Sequence, residues 1–370
     1  DQNYNAKLSV TSDGAVLDIN NLDVEGQVGD FDTWDINCGW LSAPQSAGIA
    51  SGGHLTVNVR GENRVKGVKN HETNAYDKYT AGVLSWNSLV FTGTGKLDIT
   101  AESDRNKSYG IYAFGFDNKG AVVSANAGDS QGSAGIYVDK FSASGGTTTA
   151  NAGNSYSEYY VENFGLYAGE TALTGNAKLI ANGGKTYCES YGFYSCGVGS
   201  WEIQLEDNAE LTATSGDAYN FDTSVSSAAS VGNAYSIGIS CGEIYVSDSA
   251  KITANGGMAK DAANSESTAI DARDFYISSG SVKATGGKAD NSKGVYVDPS
   301  YSMYITGGRL EAEVDSDAAN KYAINCQSMN YSDSQQTNAN WYKWRTQKGG
   351  EWNISSDGNH YVPSDGGSEN

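Results

Sequence analysis

The chain has 370 residues and carries 24 Lys and Arg against 44 Asp and Glu, a formal net charge of −20. This balance argues against binding to nucleic acid or to anionic membrane surfaces, which attract basic proteins. The 24 Tyr, 7 Trp and 9 Phe argue against a disordered chain, and 46 Gly with only 3 Pro argue against a collagen-like one. No apolar run is long enough to insert into a membrane.

Residues 1–46 precede the regular part of the sequence, and we expect them to form an N-terminal cap. They contain Trp34 and Trp40, whose large side chains can cover the open strand edges at the end of a sheet. No signal-peptide pattern opens the chain at Asp1, so we expect that a leader has already been removed.

Residues 47–326 repeat one short pattern with a period of about 30 residues, as in solenoid proteins. A Gly or Ala followed by an apolar residue recurs, and the residue two positions further on is never larger than Val. Such alternation is typical of a strand with one face in a tight interior. The ten copies are Gly48-Ile49, Gly82-Val83, Gly110-Ile111, Gly135-Ile136, Gly165-Leu166, Gly192-Phe193, Gly238-Ile239, Ala269-Ile270, Gly294-Val295 and Ala323-Ile324.

Two more strand patterns follow in a typical repeat. A middle stretch reads like Ile203-Gln-Leu205, and a later stretch alternates and ends in Ala, as in Ile99-Thr-Ala101 and Val123-Ser-Ala125. A propeller blade needs a longer repeat, a sandwich does not repeat one column, and a leucine-rich frame is absent. We therefore predict an all-β protein, a parallel β-helix of about ten coils, each with three short strands.

Residues 327–370 leave the repeat and are predicted to form a C-terminal cap and a polar tail. Trp341, Trp344 and Trp352 are available to close this end. The five cysteines include no CxxC pair, so free buried thiols are expected instead of a zinc site or a disulfide framework. They are Cys38, Cys188, Cys196, Cys241 and Cys326.

The coils also carry a family resemblance. It rests on Tyr109-Gly-Ile-Tyr112, on Phe91-Thr-Gly-Thr-Gly-Lys-Leu-Asp-Ile99, on Ser281-Val-Lys-Ala-Thr-Gly-Gly287 and on Tyr342-Lys-Trp-Arg345. On these residues the sequence resembles secreted bacterial cell-surface proteins with a pectin-lyase-like right-handed parallel β-helix. The resemblance implies a right-handed helix and a secreted or cell-surface location. It does not imply one activity, because this scaffold hosts lyases, hydrolases, adhesins and passive binders.

Catalysis has little support in the sequence. β-Helix hydrolases use pairs of carboxyl groups on one outer face, and the best candidates here are Asp271, Arg273 and Asp274. The six Arg are scattered, the family's Asp-Asp and Gly-His-Gly signatures are missing, and the net charge would repel a polyuronate. We therefore expect a protein that is not an enzyme, and a polysaccharide-degrading enzyme is the second alternative.

Polar side chains in loops and turns give two further expectations. Asp315-Ser-Asp317 and Asp290-Asn291 are rich in oxygen ligands but match no Ca²⁺-binding loop pattern, so no cofactor is predicted and Ca²⁺ stays an alternative. The residues that follow the Ala column predict an amide ladder between stacked coils. They are Asn126, Asn151, Asn182 and Asn255.

Outward tyrosines recur at equivalent positions. Coil stacking would space them about 4.8 Å apart, so each row should form an aromatic strip on which pyranose rings can lie. We predict that these rows bind a neutral polysaccharide or cell-surface glycan on a monomeric protein. The alternative is a structural stalk or protein-binding adhesin that displays edge loops such as 216–236. The predicted glycan-binding residues are Tyr112, Tyr137, Tyr167 and Tyr194 in one row and Tyr245, Tyr276 and Tyr304 in the other.

Overall fold

The computed structural model describes residues 8–26, 46–68, 79–103, 106–157, 160–188, 192–220, 233–262, 264–315, 317–326, 329–331, 343–344, 352–354 and 361–363. Within these residues the chain forms strands, turns and irregular connections, and no helix occurs among them. The strands of the first coils are Leu8–Val10 (β1), Ala15–Asn20 (β2), Asp23–Gly26 (β3), Ser46–Ser51 (β4), Leu55–Arg60 (β5), Glu62–Gly67 (β6), Tyr79–Gly93 (β7), Lys96–Ala101 (β8), Lys107–Asn126 (β9) and Gly132–Asn151 (β10).

The central and later coils continue in the same order. Their strands are Ser155–Ser157 (β11), Tyr160–Leu173 (β12), Lys178–Asn182 (β13), Thr186–Cys188 (β14), Gly192–Leu205 (β15), Glu210–Thr214 (β16), Ala218–Asn220 (β17), Asn233–Val246 (β18), Lys251–Asn255 (β19), Ala259–Lys260 (β20), Asn264–Ile277 (β21), Ser281–Thr285 (β22), Asn291–Val297 (β23), Met303–Ile305 (β24), Arg309–Glu313 (β25), Asn320–Asn325 (β26), Met329–Tyr331 (β27), Lys343–Trp344 (β28), Trp352–Ile354 (β29) and Tyr361–Pro363 (β30).

Equivalent strands of successive coils pair in parallel, and the chain is a right-handed parallel β-helix, as predicted. For example, Ile136 pairs with Ile111 of the preceding coil and with Leu166 of the following coil. In nine of the ten predicted dyads the apolar residue is buried, because it points into the single interior that the coils share. In β9 and β10 the three predicted strands run into one another without a break, so one element turns the corners of the coil.

The helix extends beyond the predicted bounds of 47 and 326. Strands β1, β2 and β3 pair in parallel with β4, β5 and β6, so part of the predicted N-terminal cap is a further coil. At the other end β27 and β28 pair with β24 and β25, while β29 and β30 form an antiparallel hairpin. Most of the predicted C-terminal cap, and Trp34 and Trp40, lie outside the described residues.

The structure corrects the predicted register in one coil. Leu166 pairs with Val198, so the dyad of that coil is Gly197-Val198 and not Gly192-Phe193. Both segments fit the pattern of a Gly followed by an apolar residue. They differ in their distance along the sequence from the middle strand of the coil, whose first inward residue is Ile203. Tyr194 therefore pairs with Glu162 and Tyr235 and does not continue the row of Tyr167.

The dyad glycines mark a narrow waist in each coil. A Cβ on Gly165 would lie 2.4 Å from the backbone nitrogen of Asn182, and one on Gly135 would lie 2.3 Å from that of Asn151. The two sides of the coil therefore touch backbone to backbone. The main hydrophobic core lies on one side of this waist, and a small parallel sheet of β11, β14, β17 and β20 lies on the other.

Two hydrogen-bond ladders fasten neighbouring coils at the waist. The predicted amide ladder is present for three of its four residues: Asn151 Nδ2 donates to Asn126 Oδ1 at 2.7 Å, and Asn182 Nδ2 donates to Asn151 Oδ1 at 2.8 Å. Asn255 Nδ2 donates instead to Thr214 Oγ1 at 3.3 Å, because Thr214 occupies the position between it and Asn182. A second ladder was not predicted. In it, Gly153 N donates to the buried Ser133 Oγ at 2.8 Å, and Ser133 Oγ donates to Gly128 O at 3.2 Å. Both ladders satisfy polar groups that the stacking of coils removes from water.

The predicted state of the cysteines is confirmed where the structure describes them. Cys196, Cys241 and Cys326 are free and buried. Burial raises the pKa of the Cys196 and Cys326 thiols to about 12. These thiols therefore stay protonated near neutral pH and pack as small apolar groups.

Candidate functional site

The second predicted tyrosine row forms a stacked ladder on the outer face of the middle strands. The ring centroids of Tyr245 and Tyr276 are 4.7 Å apart at an interplanar angle of 5°, and those of Tyr276 and Tyr304 are 4.8 Å apart at 1°. Tyr245 Oη donates a hydrogen bond of 2.5 Å to Glu243 Oε2, and this bond is the main reason that the pKa of Tyr245 is raised. The phenol groups lie at the outer edge of this ladder, close to the carboxylates.

The first predicted row contains three stacked members instead of four. Tyr137 lies between Tyr112 and Tyr167, at centroid distances of 5.3 and 4.7 Å. Gly199 occupies the next position in the column. Tyr194 instead donates to Cys196 Sγ at 3.6 Å and packs on an outer hydrophobic cluster, together with Tyr112 and Tyr137.

A third ladder, which the sequence analysis missed, lies on the small sheet. The rings of Tyr156 and Tyr187 stack at 5.0 Å and 3°, and those of Tyr187 and Tyr219 at 5.4 Å and 21°. Lys260 Nζ lies 5.3 Å from the centroid of the Tyr219 ring and caps this end of the ladder. The sequence did contain a signal for this ladder: a Tyr follows each Gly-rich turn by a few residues. These tyrosines mark a fourth strand in their coils.

Stacking changes what the ladders can offer a sugar. The middle ring of each ladder, Tyr137, Tyr187 or Tyr276, has a neighbouring ring against each face, so a pyranose cannot lie on it. Only the edges and hydroxyl groups of these middle rings remain available. A larger aromatic side chain stands outside the ladders, at the corner next to the middle strand.

Four carboxylates line up beside the second ladder. Each residue precedes the first inward residue of a middle strand, and parallel pairing puts them in successive coils, about 4.8 Å apart. We call them the carboxylate column: Glu170, Glu202, Glu243 and Asp274. Lys140 Nζ lies 3.0 Å from Glu170, Gln204 donates to Glu202, and Ser302 N donates to Asp274 at 3.2 Å. Each group has further acceptor capacity, because a carboxylate can accept about four hydrogen bonds.

The residues just before this column form the corner of each coil. In chain order they are Asp139, Gly169, Trp201, Gly242 and Arg273. Trp201 is 66 % exposed, which is unusual for the largest side chain. Its ring lies over the next coil, because a Cβ on Gly242 would be 2.9 Å from its Cε3 atom. The glycine thus leaves room for the indole to lie down along the rod.

These residues enclose a cleft of about 320 Å³. That volume is at the lower end of the about 300–1,000 Å³ typical of small-molecule sites. The lining residues are Asp139, Gly169, Glu170, Trp201, Glu202, Glu243 and Arg273. The cleft thus combines an aromatic side chain, four carboxylates and one guanidinium group.

Arg273 lies near two aromatic rings at the edge of the cleft. Its guanidinium carbon lies 4.6 Å from the centroid of the Trp201 ring and 5.4 Å from that of Tyr301, and both distances are within the range of cation–π contacts. Its Nε atom is buried and has no hydrogen-bond partner among the residues that the structure describes. A buried donor in this state costs about 1–3 kcal/mol, so the arrangement is notable.

The three predicted catalytic candidates do not form one group. Arg273 lines the cleft and Asp274 belongs to the carboxylate column, whereas Asp271 is not a lining residue. Asp271 lies near Glu266, Lys293 and Asp298, and burial raises the pKa of its carboxyl to about 6.

The oxygen-rich loops show internal hydrogen bonding. Ser265 Oγ donates to Asp290 Oδ2 at 2.7 Å, and Asp317 N donates to Asp315 Oδ1 at 3.1 Å. In the described part of the chain, no three His, Cys, Asp or Glu side chains come together as a set of metal ligands. The predicted edge loop 216–236 lies partly outside the described residues.

Comparisons of the chain with protein-family models, curated proteins and solved structures find no match. Among the described residues there is no helix of the length and apolar character that a membrane crossing requires.

Proposed function

We propose that this protein is a non-catalytic extracellular surface protein that binds a neutral glycan in the Trp201 cleft and along the ladder beside it. The observation that carries the proposal is the cleft itself, where an exposed indole stands next to stacked carboxylates. An indole offers a broad apolar surface to the C–H groups of a pyranose, and carboxylates accept hydrogen bonds from its hydroxyls.

The second ladder extends this surface along the rod. Tyr245 and Glu243 share one outward face and are hydrogen-bonded to each other, so the phenol groups continue the polar surface that starts in the cleft. A linear glycan can then contact several coils, and many weak contacts add to a useful affinity. Binding through the edges of Tyr112, Tyr137 and Tyr167 stays a prediction.

The charge of the surface favours a neutral ligand over an anionic one. Four carboxylates face the cleft, and a net charge of −20 surrounds it, so a polyuronate would be repelled. Catalysis is the weaker proposal because glycoside hydrolysis uses a carboxyl group that stays protonated near neutral pH. The carboxyl whose pKa is raised to about 6, that of Asp271, does not line the cleft.

The test is calorimetric titration with cellohexaose, xylohexaose, mannohexaose and maltohexaose at millimolar concentrations. We expect at least one to bind and Trp201→Ala to weaken its binding about fivefold, since loss of an aromatic contact costs about 1 kcal/mol. Trp201→Phe, which keeps an aromatic face, should lose less.

The matched control is Tyr156→Ala, which removes an exposed tyrosine from the ladder on the small sheet. It should bind as the wild type does. Equal binding by Trp201→Ala and wild type, or no binding by any of the four sugars, contradicts the proposal. Release of reducing ends from a bound sugar contradicts its non-catalytic part.

A further inference from the structure

Arg273 lacks a hydrogen-bond acceptor for part of its guanidinium group among the described residues. Two aromatic rings lie within cation–π distance of the guanidinium, and four carboxylates line the same cleft, yet the buried Nε finds no acceptor among the described residues. An arginine needed only for charge balance would donate to one of those carboxylates, because such bonds are strong and directional. Because Nε is closed off from water, an acceptor from outside can reach only the terminal Nη groups of this arginine.

An acceptor from outside must also suit the carboxylates around it. The guanidinium has only donors and the carboxylates have only acceptors, so a group between them has to accept on one side and donate on the other. A hydroxyl does both. An ammonium group cannot accept from Arg273, and a sugar carboxylate would face the carboxylate column.

The geometry points to Arg273 as the residue that selects hydroxyl-bearing sugars over amino sugars: one sugar hydroxyl accepts from the guanidinium and donates to Glu202 or Glu243. This inference rests on the proposed function, since it assigns a specificity to the same cleft. The position of the guanidinium supports it, because Nη2 would lie only 3.1 Å from a Cβ on Gly242, the residue that precedes Glu243 in the chain. Trp201 then stacks on the guanidinium and also borders the bound sugar.

The inference predicts an exchange of preference. In wild type, the guanidinium repels an ammonium group that the four carboxylates attract, and it donates a hydrogen bond to a hydroxyl. Without it, an ammonium group meets only carboxylates and is attracted to them. Removal of Arg273 should therefore weaken binding of neutral sugars and strengthen binding of amino sugars, whereas loss of a structural contact would weaken both alike.

The experiment is a ligand-observed NMR titration of the full chain with the methyl glycosides of glucose, mannose and galactose and of their 2-amino-2-deoxy counterparts. For the wild type we expect at least one neutral sugar to bind about tenfold more tightly than its amino form. In Arg273→Ala that ratio should fall to one or below. Arg273→Gln keeps a planar side chain on Trp201 without the charge, so it should lower the ratio in the same way, and it replaces the alanine variant if that variant does not fold.

The two proposals fail in different ways. If the wild type binds no neutral glycoside here and no hexasaccharide in the calorimeter, the proposed function is wrong. If the wild type binds neutral sugars and both Arg273 variants keep its ratio of neutral to amino affinity, only the inference about Arg273 is wrong. A wild-type preference for the amino sugars also overturns it.

Discussion

Asp271 has two carboxylates, Glu266 and Asp298, and one ammonium group, Lys293, in its surroundings. Lys293 Nζ lies 2.9 Å from Glu266 and 4.3 Å from the centroid of the Tyr296 ring, so the nearby cation is already engaged. Burial first, and then the Glu266 carboxylate, raise the pKa of Asp271 from 3.8 to about 6. In the unfolded chain the same carboxyl ionises at its ordinary pKa, so folding and protonation of this group are linked.

Asp271→Asn should remove that linkage. The folded state holds a proton on Asp271 that the unfolded state releases between about pH 4 and 6, so the stabilising contribution of this group is lost as the pH rises through that window. The loss is about 1–3 kcal/mol. Urea unfolding at pH 4, 5, 6 and 7 checks this, and we expect Asp271→Asn to gain stability relative to wild type as the pH rises.

The control for this prediction is Glu62→Gln, which alters a side chain that is 80 % exposed. Its stability relative to wild type should stay nearly level from pH 4 to 7. If Asp271→Asn follows the same level course, the carboxyl of Asp271 has no special role in pH stability.

At the scale of a coil, the close backbone contact at the waist limits the size of the first residue of each dyad. A Cβ on Gly165 would meet backbone atoms of Asn182, Ala181 and Gly197 at 2.4–2.7 Å, and backbone gives way less easily than a side chain. Gly165→Ala should therefore lower the free energy of unfolding by about 1–3 kcal/mol, as overpacking does. Urea unfolding at constant pH measures it.

The matched variant is Gly52→Ala, since a Cβ there has nothing within 4 Å. It should leave stability unchanged or raise it by up to about 1 kcal/mol, because Ala restricts the unfolded chain. Equal losses in both variants would show that the waist at Gly165 is not a close backbone contact.

The periodicity of the sequence predicted the coils, because the side chain at the same position of each coil points into one shared interior. The register failed where two adjacent segments satisfied the same local pattern, at Gly192-Phe193 and Gly197-Val198. The distance to the middle strand would have decided between them. Ile111 and Phe116, like Val198 and Ile203, are five positions apart, whereas Phe193 is ten from Ile203.

Two of the three tyrosine ladders were predictable, because strand alternation fixes which side chains point outward. The cleft was not, since it depends on a corner, where alternation gives no direction for Trp201. It also depends on the small Gly169 and Gly242 in neighbouring coils, which become neighbours only when the register is known. One signal was present in the sequence: Glu202, Glu243 and Asp274 all precede an inward middle-strand residue.

At the scale of the whole molecule, the β-helix spaces equivalent side chains at regular intervals. Each coil adds one position to every column, so the carboxylates and the phenol groups of Tyr245, Tyr276 and Tyr304 repeat at about 4.8 Å along one face. Ion pairs such as Lys178–Glu210–Lys251, at 2.8 and 3.4 Å, link coils elsewhere and reduce repulsion in an acidic rod. A surface of this kind suits an extended ligand that lies along several coils.

The most direct test is a crystal structure of the protein soaked with the hexasaccharide that titrates most tightly. The account predicts a pyranose against Trp201, with one hydroxyl between Arg273 and the carboxylate of Glu202 or Glu243, and with further sugar units toward Tyr245. Sugar bound on the ladder of Tyr156, Tyr187 and Tyr219 instead, or a cleft that stays empty while the sugar binds elsewhere, would contradict it.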